Sequence, residues 1–165
     1  MSVTVLPTDL VVQGNLVANS MTIPASAVVD ATVGAAANIA GSKIQQTIRK
    51  TFAQASNATV SAITEPIYLV IGANTTIQAV SAGMVVVALT PDTCTVDIKK
   101  NGTSILASAI SLTSSQTARQ AVVGSIVTPA GVVGDLYEVV ITPGHTSGTL
   151  GQGVFVEFKA YETAT

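Results

Sequence analysis

Reactive and charged side chains are scarce in this 165-residue sequence. It has one cysteine, one histidine, no tryptophan, three tyrosines and three phenylalanines. Asp, Glu, Lys and Arg together make up 10% of it, against about 25% in typical soluble proteins. A lone cysteine, Cys94, closes no disulfide within the chain. One Cys and one His also cannot supply the three or four soft or imidazole ligands that zinc sites use. No cofactor and no metal of that type is therefore expected, and only an oxygen-ligand calcium site stays open. Seven basic against nine acidic residues, a net charge of -2, leave no basic footprint, so nucleic acid is not an expected partner. The longest unbroken apolar run, residues 84–89, is far short of the roughly 20 residues of a spanning helix, so no membrane span is expected. The first residues, Met-Ser-Val-Thr-Val-Leu-Pro, lack the basic region and apolar core of a secretion signal. The Asn-x-Thr matches at Asn57, Asn74 and Asn101 are accordingly read as chance.

Catalytic and phosphate-binding patterns are missing too. No Gly-x-x-x-x-Gly-Lys or Gly-x-Gly-x-x-Gly follows a strand and opens a helix. His145, Thr146 and Ser147 could suggest a base beside a nucleophile, but they sit in a loop bracketed by Gly144 and Gly148 with no acidic neighbour in sequence to orient the ring. The carboxylates are scattered singly, with no visible glycosidase-type pair. Enzymatic activity is not expected.

What the sequence does contain is alternation. Residues 94–110 carry two alternating runs that meet at Asn101-Gly102, a pair suited to a two-residue hairpin turn because both central positions need positive φ. That turn sets a register in which Lys100 pairs with Thr103 and Ile98 with Ile105. Cys94, Val96, Ile98, Ile105, Ala107 and Ala109 would then share one face, with Asp97 and Lys99 on the other. Core placement makes Cys94 a small hydrophobe. Strands are expected at 67–71, 76–80, 84–90, 93–99, 103–110, 120–127, 135–142 and 153–161, the spacing of an all-β sandwich. Eight strands in about a hundred residues suit a jelly-roll-like β-sandwich over 66–165.

The region before it reads differently. Residues 1–60 are expected to be an extended N-terminal arm, with short strands at 10–12 and 16–18 around the turn signal Gln13-Gly14-Asn15 and breaks at Pro7 and Pro24. An ordinary edge of the sandwich is the alternative for its first part. Ser42 and Gln45 have capping-box spacing, which predicts one short helix over about 42–54. Ile44, Ile48 and Phe52 would form its apolar stripe, either as a subunit interface or docked on the chain's own domain. The small, polar stretch up to Glu65-Pro66 predicts a domain boundary near Pro66. A mean hydropathy of +0.57 with so little charge further predicts apolar surface that faces other subunits.

Three segments together resemble a β-sandwich module of tailed-bacteriophage structural proteins: Thr95 to Leu106 through the Asn101-Gly102 turn, Gly134-Asp135-Leu136-Tyr137-Glu138-Val139, and Gly151 to Glu162. Asn15-Leu16 to Ile23-Pro24, followed by Ala37 to Ile44, is similar to the arm that precedes this module in trimeric head decoration, or cement, proteins. The resemblance implies a homotrimer with jelly-roll heads and no enzymatic activity. It also implies a place on the outer capsid surface of a virion, with the major capsid protein as partner. No individual binding residues carry over. The alternative is a phage fibre or adhesin-type module that binds a receptor or carbohydrate. Against it stand the lack of a repeated shaft and the few aromatics available to stack on sugar rings.

Overall fold

The computed structural model describes residues 45–162. The regular elements within them are all β-strands: β1 (Gln46–Ala53), β2 (Ile63–Leu69), β3 (Thr75–Val86), β4 (Thr93–Lys100), β5 (Thr103–Ser104), β6 (Ile110–Leu112), β7 (Val122–Val123), β8 (Ala130–Gly131), β9 (Leu136–Gly144) and β10 (Gln152–Glu162). They form two antiparallel sheets. One runs β1-β10-β3-β7, with β8 also on β3, and the other runs β2-β9-β4-β5, with β6 also on β4. Buried residues of both sheets, among them Val80, Met84, Val156 and Phe158 from the first and Val96, Ile98, Val139 and Ile141 from the second, make one core.

Period-2 patterning explains the longest strands. In β4 the side chains of Cys94, Val96 and Ile98 are buried while Thr95, Asp97 and Lys99 are half-exposed. In β10 Val154, Val156, Phe158 and Ala160 are buried, and Glu157 between them is exposed. At the hairpin tip Asn101 and Gly102 have φ of 48° and 84°, the left-handed values that a two-residue turn of this kind requires. Lys100 faces Thr103 and Lys99 faces Ser104, and the Ile105 amide donates to the Ile98 carbonyl at 2.9 Å.

Beyond that point the structure departs from simple alternation. The Ser104 hydroxyl donates to Asp97 Oδ1 at 2.7 Å and accepts the Leu106 amide at 3.2 Å. This side-chain turn ends β5 after two residues. Ile105 and Leu106 are then buried in succession, and Ala107 and Ala109 are exposed instead of sharing the Cys94 face. Chain direction recovers at β6, where Ile110 faces Val96 and Leu112 faces Cys94.

Three further expectations are corrected. The helix predicted over about 42–54 is not formed: residues 46–53 are strand β1, paired with β10 from Gln46 opposite Glu162 to Ala53 opposite Phe155. Thr47, Ile48, Thr51 and Phe52 are β-branched or aromatic and favour this pleated edge. Ser42 and Ile44 lie outside the described residues, as do the arm strands expected at 10–12 and 16–18. Pro66 is not at a junction. It lies inside β2 on the sheet edge, where a missing N–H breaks no ladder, next to a register shift between Pro66 and Tyr68. Residues 46–53, assigned to the arm by sequence, thus belong to the first sheet.

The described residues hold ten strands, not eight. The segment expected at 76–80 and the start of that expected at 84–90 are one strand, β3, which ends at Val86; the strand expected at 103–110 breaks into β5 and the start of β6, and of that expected at 120–127 only β7 is strand. Gly83, between the two expected segments, serves packing: a Cβ there would run into the Phe155 ring and the Gln120 carbonyl oxygen. The first sheet therefore continues straight through it.

Replacing Gly102 by Val puts a β-branched residue at φ 84° and is expected to destabilise the fold by more than about 1 kcal/mol. Urea denaturation of parent and variant measures it, and equal midpoints would contradict the turn's role.

Candidate functional site

Two buried carboxylates organise the loops at the ends of the sandwich. Asp135, just before β9, accepts the Val132 amide at 2.9 Å on Oδ2 and the Asn101 side-chain amide at 2.7 Å on Oδ1. Asn101 in turn accepts the Leu136 amide at 2.9 Å. Lys100 Nζ stands 3.6 Å from Asp135 and donates to the Ala130 carbonyl at 2.9 Å. The Val132 amide above all, then Asn101 and Lys100 against the cost of burial, hold this carboxyl below its ordinary value. The hairpin tip is thereby fastened to the start of β9.

Asp92 does the same work for the loop that contains the single histidine. Its side chain has no exposed surface. Oδ1 accepts the amides of Thr146 at 2.8 Å, Ser147 at 3.3 Å and Gly148 at 3.0 Å, and Oδ2 lies 2.6 Å from His145 Nδ1. Burial opposes the charge, but the Thr146 amide, the His145 ring and the Gly148 amide outweigh it and bring the carboxyl down to about 2. An ionised carboxylate only accepts, so Nδ1 carries the hydrogen and Nε2 is the free nitrogen of a ring whose side chain is 59% exposed. Thr146 and Ser147 enter this cluster through their backbone amides, not their hydroxyls. The sequence therefore missed the acidic partner of His145, which lies 53 residues away. The neighbouring Pro91 is joined to Thr90 by a cis peptide bond.

The other sequence-predicted residues fall elsewhere. Asn101 and Gly102 form the hairpin tip just described. Ile48 and Phe52 are half-buried on β1 and pack against the core, and Ile48 also lines a groove between the open edges of β1 and β2. This groove, about 420 Å³, is floored by Ile48, Ile67, Tyr68, Leu69, Ile71 and Leu136, with Lys50 and Glu162 among the residues that line it. Cys94 is fully buried, and burial pushes its thiol up to about 11. Among the described residues no group of three or more His, Cys, Asp or Glu is placed to hold a metal ion.

No family model matches the sequence, and no curated protein matches it. Among solved structures, a chain in the structure of infectious bursal disease virus, Gt strain, aligns over 73% of this chain at 10% identity with a TM-score of 0.28. The aligned part is 37% of that chain's length.

Removing the Asp92 carboxylate leaves the amides of Thr146, Ser147 and Gly148 and the His145 Nδ1 without this acceptor. Asp92→Ala is expected to lower the melting temperature at neutral pH by several degrees, and Asp92→Asn by less. Because the folded value lies below the ordinary 3.8, the stabilisation is complete above that pH and is lost as pH falls towards about 2. Melting curves across this range should show the gap between parent and Asp92→Ala closing. A gap that stays constant would contradict the ionised role.

Proposed function

We infer that this protein is a structural virion protein, a head decoration or cement protein that sits on the outer capsid surface as a homotrimer and stiffens the shell. Its partner in this reading is the major capsid protein. The fold supports it through strand order. Counting β5 with β6 and β7 with β8 as single strands gives eight, in sheets ordered 1-8-3-6 and 2-7-4-5, which is the interleaved double Greek key of a jelly roll. The sequence segments that resemble the phage module coincide with the β4–β5 hairpin, the start of β9 and strand β10.

One observation weighs most between this reading and a carbohydrate-binding fibre tip. All six aromatic residues lie within the described chain, and none is exposed: Tyr68, Tyr137 and Phe158 are buried, and Phe52, Phe155 and Tyr161 are half-buried. Sugar recognition favours aromatic faces presented to solvent. The large exposed side chains are aliphatic instead, led by Ile71 and Val123, and such surface suits protein partners.

Light scattering of the purified full chain at micromolar concentration should give a mass near three times 16.6 kDa, about 50 kDa. A clean 16.6 kDa species would overturn the trimer.

Attachment is tested separately. With β1 now part of the sandwich, the arm to remove is residues 1–44, not 1–60. In the cement reading three arms act together and gain effective concentration. Their removal should abolish co-sedimentation with capsids that lack the protein, while circular dichroism still reports β structure. A truncated chain that sediments as well as the parent would move attachment to the sandwich and favour the fibre or adhesin alternative.

A further inference from the structure

We propose that the groove between β1 and β2 is the face through which copies of this chain pack, with Lys50 of one copy set against Glu162 of the next. This contact deepens the homotrimer reading and rests on it. β1 and β2 are the outer strands of their sheets on the same side of the sandwich. The groove between them is apolar along its floor. The Gly134 amide donates to the Val70 carbonyl at 2.8 Å, and the Val70 amide to the Asp135 carbonyl at 3.0 Å. These bonds bring the loop containing Val132 and Val133 alongside Leu69 and Ile71. Leu69 and Ile71, and Val132 and Val133 in that loop, are exposed aliphatic side chains, of which Ile71 is 75% exposed. Exposed aliphatic side chains beside an apolar groove suit an interaction site.

The occupant follows from how the edges are finished. Pro66 offers no N–H, the ladder slips between Pro66 and Tyr68, and Lys50 sits at the core-facing parity of β1. Each of these features blocks the addition of a further strand, so the partner meets side chains rather than a backbone ladder. Among the described residues, neither Lys50 nor Glu162 takes part in an ion pair. Glu162 faces Gln46 across the ladder and Lys50 is four residues further along β1, so the backbone positions of the two residues stand about 13 Å apart along the strand direction. With a cation towards one end and a carboxylate towards the other, the Lys50 end of one face complements the Glu162 end of the next in a ring that closes head to tail. Each Lys50 meets the next copy's Glu162 while the apolar floor is covered.

The test uses the full chain, with mass by sedimentation or light scattering and fold by circular dichroism. Lys50→Glu and Glu162→Lys should each weaken assembly at least tenfold while the β spectrum is kept, and Ile71→Asp should do the same. The double variant, with both charges exchanged, should recover the parent's mass. Single variants as fully assembled as the parent, or a double variant that stays dissociated, overturn the contact and leave the trimer standing. A monomeric parent overturns the trimer and the contact together. A dimeric parent that still shows loss and rescue overturns the trimer and keeps the contact.

Discussion

The spacing of the two sheets depends on one aromatic contact. Phe158 of β10 reaches across the sandwich to Tyr68 of β2 and Tyr137 of β9, with ring centroids at 5.7 and 5.2 Å, and the two tyrosine rings stack at 6.2 Å. Half of the chain's aromatic residues are spent at this single point, while the remaining buried core is Val, Ile, Ala, Leu, Met and the one Cys. Such pairs contribute about 0.5–1.5 kcal/mol beyond the area they bury. The tyrosine hydroxyls come inside with the rings. Burial, and next the Asp135 charge, push the Tyr137 phenol up to about 12, so the trio acts as a neutral spacer throughout the ordinary pH range. It also fixes β2 against β10, and with them the groove whose floor includes Tyr68.

Which parts of this fold could be read in the sequence depended on whether two periods could be told apart. β4 was legible because Cys94, Val96 and Ile98 alternate strictly with polar residues and the turn after them is chemically specific. β1 was not, because Ile44, Ile48 and Phe52 recur every four residues, and that interval returns to the same face in a helix and in a strand alike. The residues between them that would have shown the alternation, Gln46 and Lys50, are polar since they stand at an open edge, not over the centre of the core. The capping-box spacing at Ser42 and Gln45 then tipped the reading to the wrong period. In β3 two segments, 76–80 and 84–90, were expected where one strand runs: Gly83 between them is small because Phe155 and the Gln120 carbonyl crowd it, and a sequence does not distinguish a crowded glycine from a turning one.

The loop anchors were illegible for a different reason. Asp92 and Asp135 are isolated acids in sequence, and each acquires its meaning only from backbone amides that the fold delivers from elsewhere. Local pattern holds no record of a partner 53 residues distant. His145 has no acid among its sequence neighbours, and a hairpin-rich sandwich delivers one from the loop before β4 instead. The two carboxylates close loops at opposite ends of the sandwich, so charge is used at its ends and apolar packing between its sheets.

The sealed thiol of Cys94 has a consequence for where this fold can exist. The only sulfhydryl has no exposed surface and a raised pKa, and reactivity with oxidants or disulfides needs an accessible thiolate. No covalent cross-link within the chain is made or broken as the surroundings change from reducing to oxidising. The sandwich therefore keeps one covalent state, and with it one stability, on either side of a redox boundary.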